Sequence, residues 1–444
     1  MVLGQFRKSI ISFADFAVNM SNDIGNIFTV SSQYRNFFCV LTLYRRSIGE
    51  KVPSFSKFLE KIFTLPQTHC NPRHFVIYCT HQNNNKVRNI IMKFDLDYTL
   101  NVLKEMLAID SPTGFCREVG IWAKEQFEKL GIPAEIKLKG GVLTDLGALC
   151  KKENDDNAIL LSAHIDTLGA MVAEVKGSGR LRVRPVGGLS ASNTETEFVK
   201  VYTRDGKTVE GTLQLCDASA HVNGGVNSSV RNWDNVEVVL DEVVSSAADT
   251  KALGIENGCY VCVNPRTVIT ESGYIKSRYL DDKLSAAILL GFTKYLVDNN
   301  IKTDRHIYIH FTTYEEVGHG AAGICPAGVT EIFGVDMGCV GNGLTCTERE
   351  VSICAADGSG PYDYDINCKL VELAKKHDIG YAVDMYIMYS SDCSVAVRNF
   401  DLRHALIGAG VYASHGYERS HVDGVLNTMK LLAAYLCEEQ YPNE

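Results

Sequence analysis

The stretch Ala158-Ile-Leu-Leu-Ser-Ala-His-Ile-Asp166 decides the fold: six apolar or small residues, then an imidazole and a carboxylate two positions apart. A short apolar run closed by polar residues reads as a strand buried on both faces. Two further runs have the same form. His306 to Glu316 (HIYIHFTTYEE) ends in paired glutamates, and Ile332 to Asp336 (IFGVD) ends in an aspartate. In a parallel sheet the ends of such strands lie on one edge, so His164, Glu315, Glu316 and Asp336 are expected to meet there although they are far apart in the chain.

Around these runs, from residue 92 onward, helical and strand-like segments alternate, which predicts an α/β domain with a mainly parallel sheet. Asp97 to Ile109 (DYTLNVLKEMLAI) is an amphipathic helix. A second helix carries Val119, Trp122, Ala123, Phe127 and Leu130 on one face and stops at Gly131. Lys283 to Leu296 (KLSAAILLGFTKYL) is a buried helix, and a last one lies near Leu426 to Cys437. Between about 172 and 275 the texture changes to short alternating runs separated by Gly, Asn and Asp turns, which predicts an inserted all-β domain. The α/β domain is then 92–171 plus 276–444, and the insertion abuts the candidate site at both ends. A lid or an oligomerisation module would suit that position.

Residues 1–91 differ from the rest. They hold 11 of the 44 Lys and Arg but only 4 of the 53 Asp and Glu. They lack sustained periodicity, and their QNNNK run is polar, so Met92 reads as the natural start of the domain and the preceding stretch as upstream sequence or a disordered extension. Its longest apolar run, FFCVLTLY, is too short for a membrane span and too far in for a signal peptide. The formal charge of -9 argues against nucleic acid as a partner. Fifteen scattered cysteines, mostly within apolar runs, read as reduced thiols in a cytoplasm. Cys259 and Cys262 form a single CxxC with no second pair, so a zinc ribbon is not expected.

The polar residues are then read for chemistry. An imidazole supplies a metal-binding nitrogen, and Asp166, two residues on from His164, can orient that ring. Asp281 and Asp282 open a helix, where the dipole favours anions; as a cap the pair needs no metal, and as a ligand one carboxylate can bridge two cations. Glu315 and Glu316 repel each other at the end of a buried strand unless cations or a shared proton compensate. Asp336 is costly to bury alone.

Here the sequence resembles peptidase family M42, the glutamyl and TET-type metalloaminopeptidases. The matching segments are SPTG at 111–114, AHIDTLGA at 163–170, SRYLDDK at 277–283, TYEEVGHG at 313–320 and VDMG at 335–338. Within the family, SGPYDY at 359–364, YSSDCS at 389–394 and ASHGYERSH at 413–421 are similar to the M42-like peptidases of clostridia and of osmoprotectant systems. The resemblance implies the fold of the dinuclear zinc peptidases and two divalent ions per subunit, zinc or cobalt by their N and O donors. His164, Asp281 and Asp336 would hold one ion, and Asp281, Glu316 and a final histidine the other. That histidine is expected at His415, with His421 as the alternative, because the segment departs from the family's common HSPxE. Glu315 would be the general base acting on a metal-bridging water, Asp166 the partner of His164, and Ser391 and Asp392 substrate contacts. The implied enzyme is a homo-oligomeric, cytoplasmic aminopeptidase for short peptides, with no membrane partner. An amidohydrolase of a small acylated dipeptide or osmolyte, and an inactive scaffold, are the competing readings.

Overall fold

The computed structural model describes residues 28–32, 39–45, 77–81, 93–152 and 156–441. The chain divides into two compact units, Met1–Ile90 and Ile91–Glu444. In the first, the strands Phe28–Ser32 and Cys39–Arg45 pair antiparallel, and Ile77–His81 joins the second in parallel. The expectation that 1–91 is a disordered or upstream segment otherwise lies outside the described residues.

The second unit is built on a large mixed sheet. Its centre is parallel: the strand Ala158–His164 lies between Ile307–Thr312 and Val329–Val335, and Arg403–Tyr412 follows on the far side of the last. The flanks are mixed: Val268–Ile269 with Tyr274–Ser277 and Val142–Asp145 with Ile307–Thr312 pair antiparallel, while Val351–Asp357 and Tyr381–Tyr386 pair in parallel. "Mainly parallel" therefore describes the middle of the sheet better than its flanks.

The central strands are apolar because both faces are covered. Ala158–His164 is buried at every position. The helix Leu280–Asp298 packs on it and is itself buried almost all round, which explains its near-continuous apolar sequence. Leu96–Leu107 and Val422–Leu436 pack against that helix with their apolar faces. Gly131, at a φ of 77°, ends the helix Arg117–Lys129 as its sequence suggested.

Between 169 and 263 six strands close into a barrel, in the order Thr208–Leu215, Val236–Leu240, Leu181–Val186, Gly169–Val175, Tyr260–Val263 and Phe198–Tyr202. A barrel removes the open edges that short strands would otherwise expose. One short helix, Ala247–Ala252, is set by a Ser246/Asp249 capping box. The barrel starts three residues earlier than the texture change suggested, and 268–277 pairs with the large sheet instead.

Candidate active site

The parallel order of the central strands brings their C-terminal ends side by side. His164 closes the first strand, opposite Thr312 of its neighbour, so the loop that begins at Thr313 carries Glu315 and Glu316 past the imidazole. Asp336 directly follows the strand ending at Val335. Asp281 and Asp282 stand at the entry of the buried helix with non-helical backbone angles, preceded by Tyr279 at a left-handed φ of 67°. This break in the helix start turns both carboxylates toward the strand ends.

The distances are short. His164 Nε2 lies 3.0 Å from Asp281 Oδ1 and 3.7 Å from Glu315 Oε2. His415 Nε2 lies 3.6 Å from Asp281 Oδ2 and 3.7 Å from Glu316 Oε2. Ligand atoms of His164, Asp281 and Glu316 fall within 4.8 Å of one another, as do those of His164, Asp282 and Asp336. Each of these carboxylates is buried or nearly so, whereas the His415 side chain remains 43% exposed.

Such crowding has an electrostatic cost that shows in the titration of each group. Burial first, then the Asp281 charge, raises the Asp336 carboxyl to about 7. Burial also holds Asp282, Glu315 and Glu316 well above the usual carboxylate range, with neighbouring carboxylates adding to it. His164 is raised too, against its burial. Burial pulls its value down, but its hydrogen bonds to Asp166 and Asp281 and the nearby carboxylate charges outweigh that and raise it. Glu316 Oε1 and Asp282 Oδ1 have no hydrogen-bond partner at all. Orphaned buried oxygens around an imidazole are a donor set suited to divalent cations, since a cation satisfies lone pairs and cancels the repulsion together.

Residues 146–431 match the model of the M42 glutamyl aminopeptidase family. The chain belongs to this family. It is 38% identical over 339 residues, 76% of this chain and 97% of the relative, to "Putative aminopeptidase YhfE" of Bacillus subtilis strain 168. Among solved structures it is similar to aminopeptidase APDkam598 of the archaeon Desulfurococcus kamchatkensis, with a TM-score of 0.69 at 22% identity over 78% of this chain and 96% of that one. It is also similar to the TET1 peptidase of Pyrococcus horikoshii, which assembles into a tetrahedron or a large octahedral shell, with a TM-score of 0.66 at 21% identity over 76% and 98% of the two chains. As an M42 member the chain is a peptidase hydrolase of the aminopeptidase type, in a metal-dependent family.

The M42 resemblance also named residues around the cluster, and the structure places each. Asp166 is fully buried, and its backbone carbonyl accepts from His164 Nδ1 at 2.9 Å, leaving Nε2 for the cluster. Its carboxylate takes the Thr113 hydroxyl at 2.6 Å and the Glu315 backbone N–H at 3.3 Å. It thus orients the imidazole through its backbone and the Glu315 loop through its side chain.

His421 is turned away from the cluster. It caps the last helix, its Nδ1 accepting from the Asp423 N–H at 3.0 Å, while Nε2 meets the Ser272 carbonyl at 2.9 Å and the ring stacks edge-on against Tyr274. Of the two histidines, His415 alone stands against Asp281 and Glu316.

Ser391 and Asp392, expected to face substrate, are 0% and 4% exposed. Ser391 Oγ lies 2.8 Å from Cys393 Sγ, and Asp392 bonds the strand end and loop that carry the glutamates. Both lie beneath the site, because the helix they open, Asp392–Ala396, packs under the sheet.

Glu418 is the residue that sequence reasoning left without a role. It is 2% exposed, lines the cleft with Asp281, Glu316 and His415, and has its carboxyl raised by burial and by the Asp281 charge. The barrel reaches the same cleft through Leu189, and a Cβ at Gly188 would come within 2.5 Å of His415 Nδ1.

Among the described residues no helix is long and apolar enough to cross a membrane, and the cysteines are free thiols.

Proposed function

We propose that this M42 member is a dinuclear metalloaminopeptidase that releases N-terminal residues from short peptides, with Glu315 as its general base. The observation that carries this reading is the buried gathering of His164, Asp281, Asp282, Glu316 and Asp336, with raised carboxyls and unpartnered oxygens. One ion would be held by His164, Asp281 and Asp336, the other by Asp281, Glu316 and His415. When bound, two such ions polarise a scissile carbonyl and lower the pKa of water. Zinc or cobalt suits the N and O donors.

The chain's own residues supply the rest. Glu315 lies at the rim of the cluster, its side chain 14% exposed, with burial raising its affinity for a proton. In this reading it takes the proton of the attacking water and returns it to the leaving amine. Asp166 holds the Glu315 backbone and the imidazole together, so base and ligand keep one spacing. The excess of carboxylates favours a substrate that brings a cation, as the free ammonium of a peptide N-terminus does.

A homo-oligomer is supported by the assembly of the Pyrococcus TET1 peptidase, and a cytoplasmic location by the free thiols.

The test is hydrolysis of free-amine and N-acetylated dipeptides by the full chain, stripped of metal and reloaded with zinc, cobalt or manganese, beside Glu315→Gln. The reading expects metal-dependent release of N-terminal residues, lost by at least about 100-fold in the variant. Cleavage of acylated substrates alone would replace it with the amidohydrolase.

A further inference from the structure

We infer that Asp392 is a positioning residue, whose one buried carboxylate fastens both ends of the loop bearing Glu315 and Glu316. The inference rests on the roles just proposed for those glutamates, and it replaces the substrate contact expected of Asp392.

Thr312 is the last residue of its strand, and Ala321 is buried at the far end of the loop. Asp392 Oδ2 accepts the Thr312 hydroxyl, with the Ser162 hydroxyl 3.4 Å away, and Oδ1 accepts the Ala321 N–H at 2.8 Å. Eight residues, 313–320, run between those two anchors. Within them Tyr314 and Gly318 have left-handed φ values of 70° and 82°, and Gly318 N–H bonds the Glu315 carbonyl at 2.7 Å. A loop of this shape has no ladder to hold it, so its ends set where Glu315 and Glu316 point.

Other groups touch the loop as well. The Lys139 carbonyl accepts the Thr313 hydroxyl at 2.8 Å while its Nζ donates to the His319 carbonyl at 2.6 Å, and Asp166 accepts the Glu315 N–H at 3.3 Å. These contacts fall on residues within the loop, on its exposed side in the case of the Lys139 ammonium, whereas the Asp392 carboxylate is buried and holds the residues that flank it. Asp392 spans it from end to end. Gly320 shows how close the fit is, because a Cβ there would collide with the Asp392 carboxylate. Ser162, two residues before His164, lies on the same carboxylate, so the strand end of the imidazole and the loop of the glutamates share one support.

Asparagine keeps the size of the side chain and one of its oxygens, but its NH2 then faces the Thr312 hydroxyl. Asp392→Asn is therefore the conservative variant, and Gly320→Ala presses on the same contact from the loop side. In the full-length protein both should show faster amide hydrogen exchange confined to the segment 312–321. Both should also show metal lost to a chelator at about 10- to 100-fold lower concentration, and kcat lowered by a similar factor for every substrate with KM nearly constant. Unchanged exchange in 312–321, or a defect confined to KM that varies with the substrate's side chain, would overturn the inference. Should the wild type cleave no free-amine peptide, the proposed function fails, while the exchange measurement still decides what Asp392 does.

Discussion

Glu418 and Asp281 lie 137 residues apart and are joined by one hydrogen bond, from the Asp281 backbone N–H to Glu418 Oε2 at 3.1 Å. The other oxygen, Oε1, takes the N–H of His415 at 3.0 Å. One buried carboxylate therefore sets the backbone of two residues proposed to share an ion, and His415 is held at a left-handed φ of 63° in doing so.

Replacing Glu418 by Gln preserves its shape but turns an NH2 toward one of the two N–H groups. A buried donor left without an acceptor costs about 1–3 kcal/mol. Glu418→Gln should keep the fold, release metal to a chelator about 10- to 100-fold more readily, and lose activity in proportion. A chelator titration followed by cobalt absorption measures this, and wild-type retention would remove Glu418 from the site.

The two histidines of the 413–421 segment separate cleanly. His415→Ala should weaken metal binding and activity by orders of magnitude with little change in the thermal stability of the metal-free chain, because the ring is partly exposed. His421→Ala should leave metal binding intact and cost about 1 kcal/mol through loss of the helix cap. Metal content and melting temperature, read on both variants, give opposite patterns. A matching pair of defects would sink this assignment.

That pair also shows how far the sequence could be read. The strands were legible because burial on both faces leaves an apolar run with polar residues at its end, as in Ala158–His164. His415 and His421 are six residues apart in a segment with no periodicity. Their fates depend on a left-handed turn and a helix start that spacing does not reveal. Ser391 and Asp392 were expected to contact substrate from the family resemblance of their segment; the packing of the short helix Asp392–Ala396 against the sheet is what buries them. Glu418 pairs with backbone groups, and backbone N–H groups carry no sequence signature. Antiparallel flank pairs such as Val142–Asp145 with Ile307–Thr312 join strands far apart in the chain, which no local pattern reveals.

Removing metal should make stability depend on pH in a definite direction. Asp336, raised to about 7, keeps its proton in the folded chain where the unfolded chain has lost it, as do Asp282, Glu315 and Glu316 in the same sense. The folded state then binds more protons, so its stability falls as pH rises from the usual carboxylate range near 4 to about 7. The raised value of His164 acts in the same direction, since its stabilisation is complete below about 6.5 and is lost above that. Asp281, whose value is lowered by His164 against its burial, acts only at lower pH. Bound cations replace those protons, so calorimetry from pH 4.5 to 8 should show a melting temperature that declines in chelator and holds with zinc. Parallel curves would mean that the cluster does not hold cations.

Gly188 ties the barrel to the site and can be tested without touching a ligand. A methyl group at this position would come within 2.5 Å of His415 Nδ1 and 2.8 Å of its Cε1. Both distances are shorter than van der Waals contact, so either the imidazole or the barrel linker must move. The ring is the softer partner, because it is 43% exposed, whereas Leu189 next in the linker is buried. Gly188→Ala should therefore swing His415 away from Glu316 and Asp281, weakening the ion proposed there by about tenfold while the melting temperature of the metal-free chain stays within a degree or two. Isothermal titration of the stripped protein with zinc resolves the two ions if their affinities differ. A loss confined to one binding step is the expected result, and two intact steps would show that the linker, not the histidine, gives way.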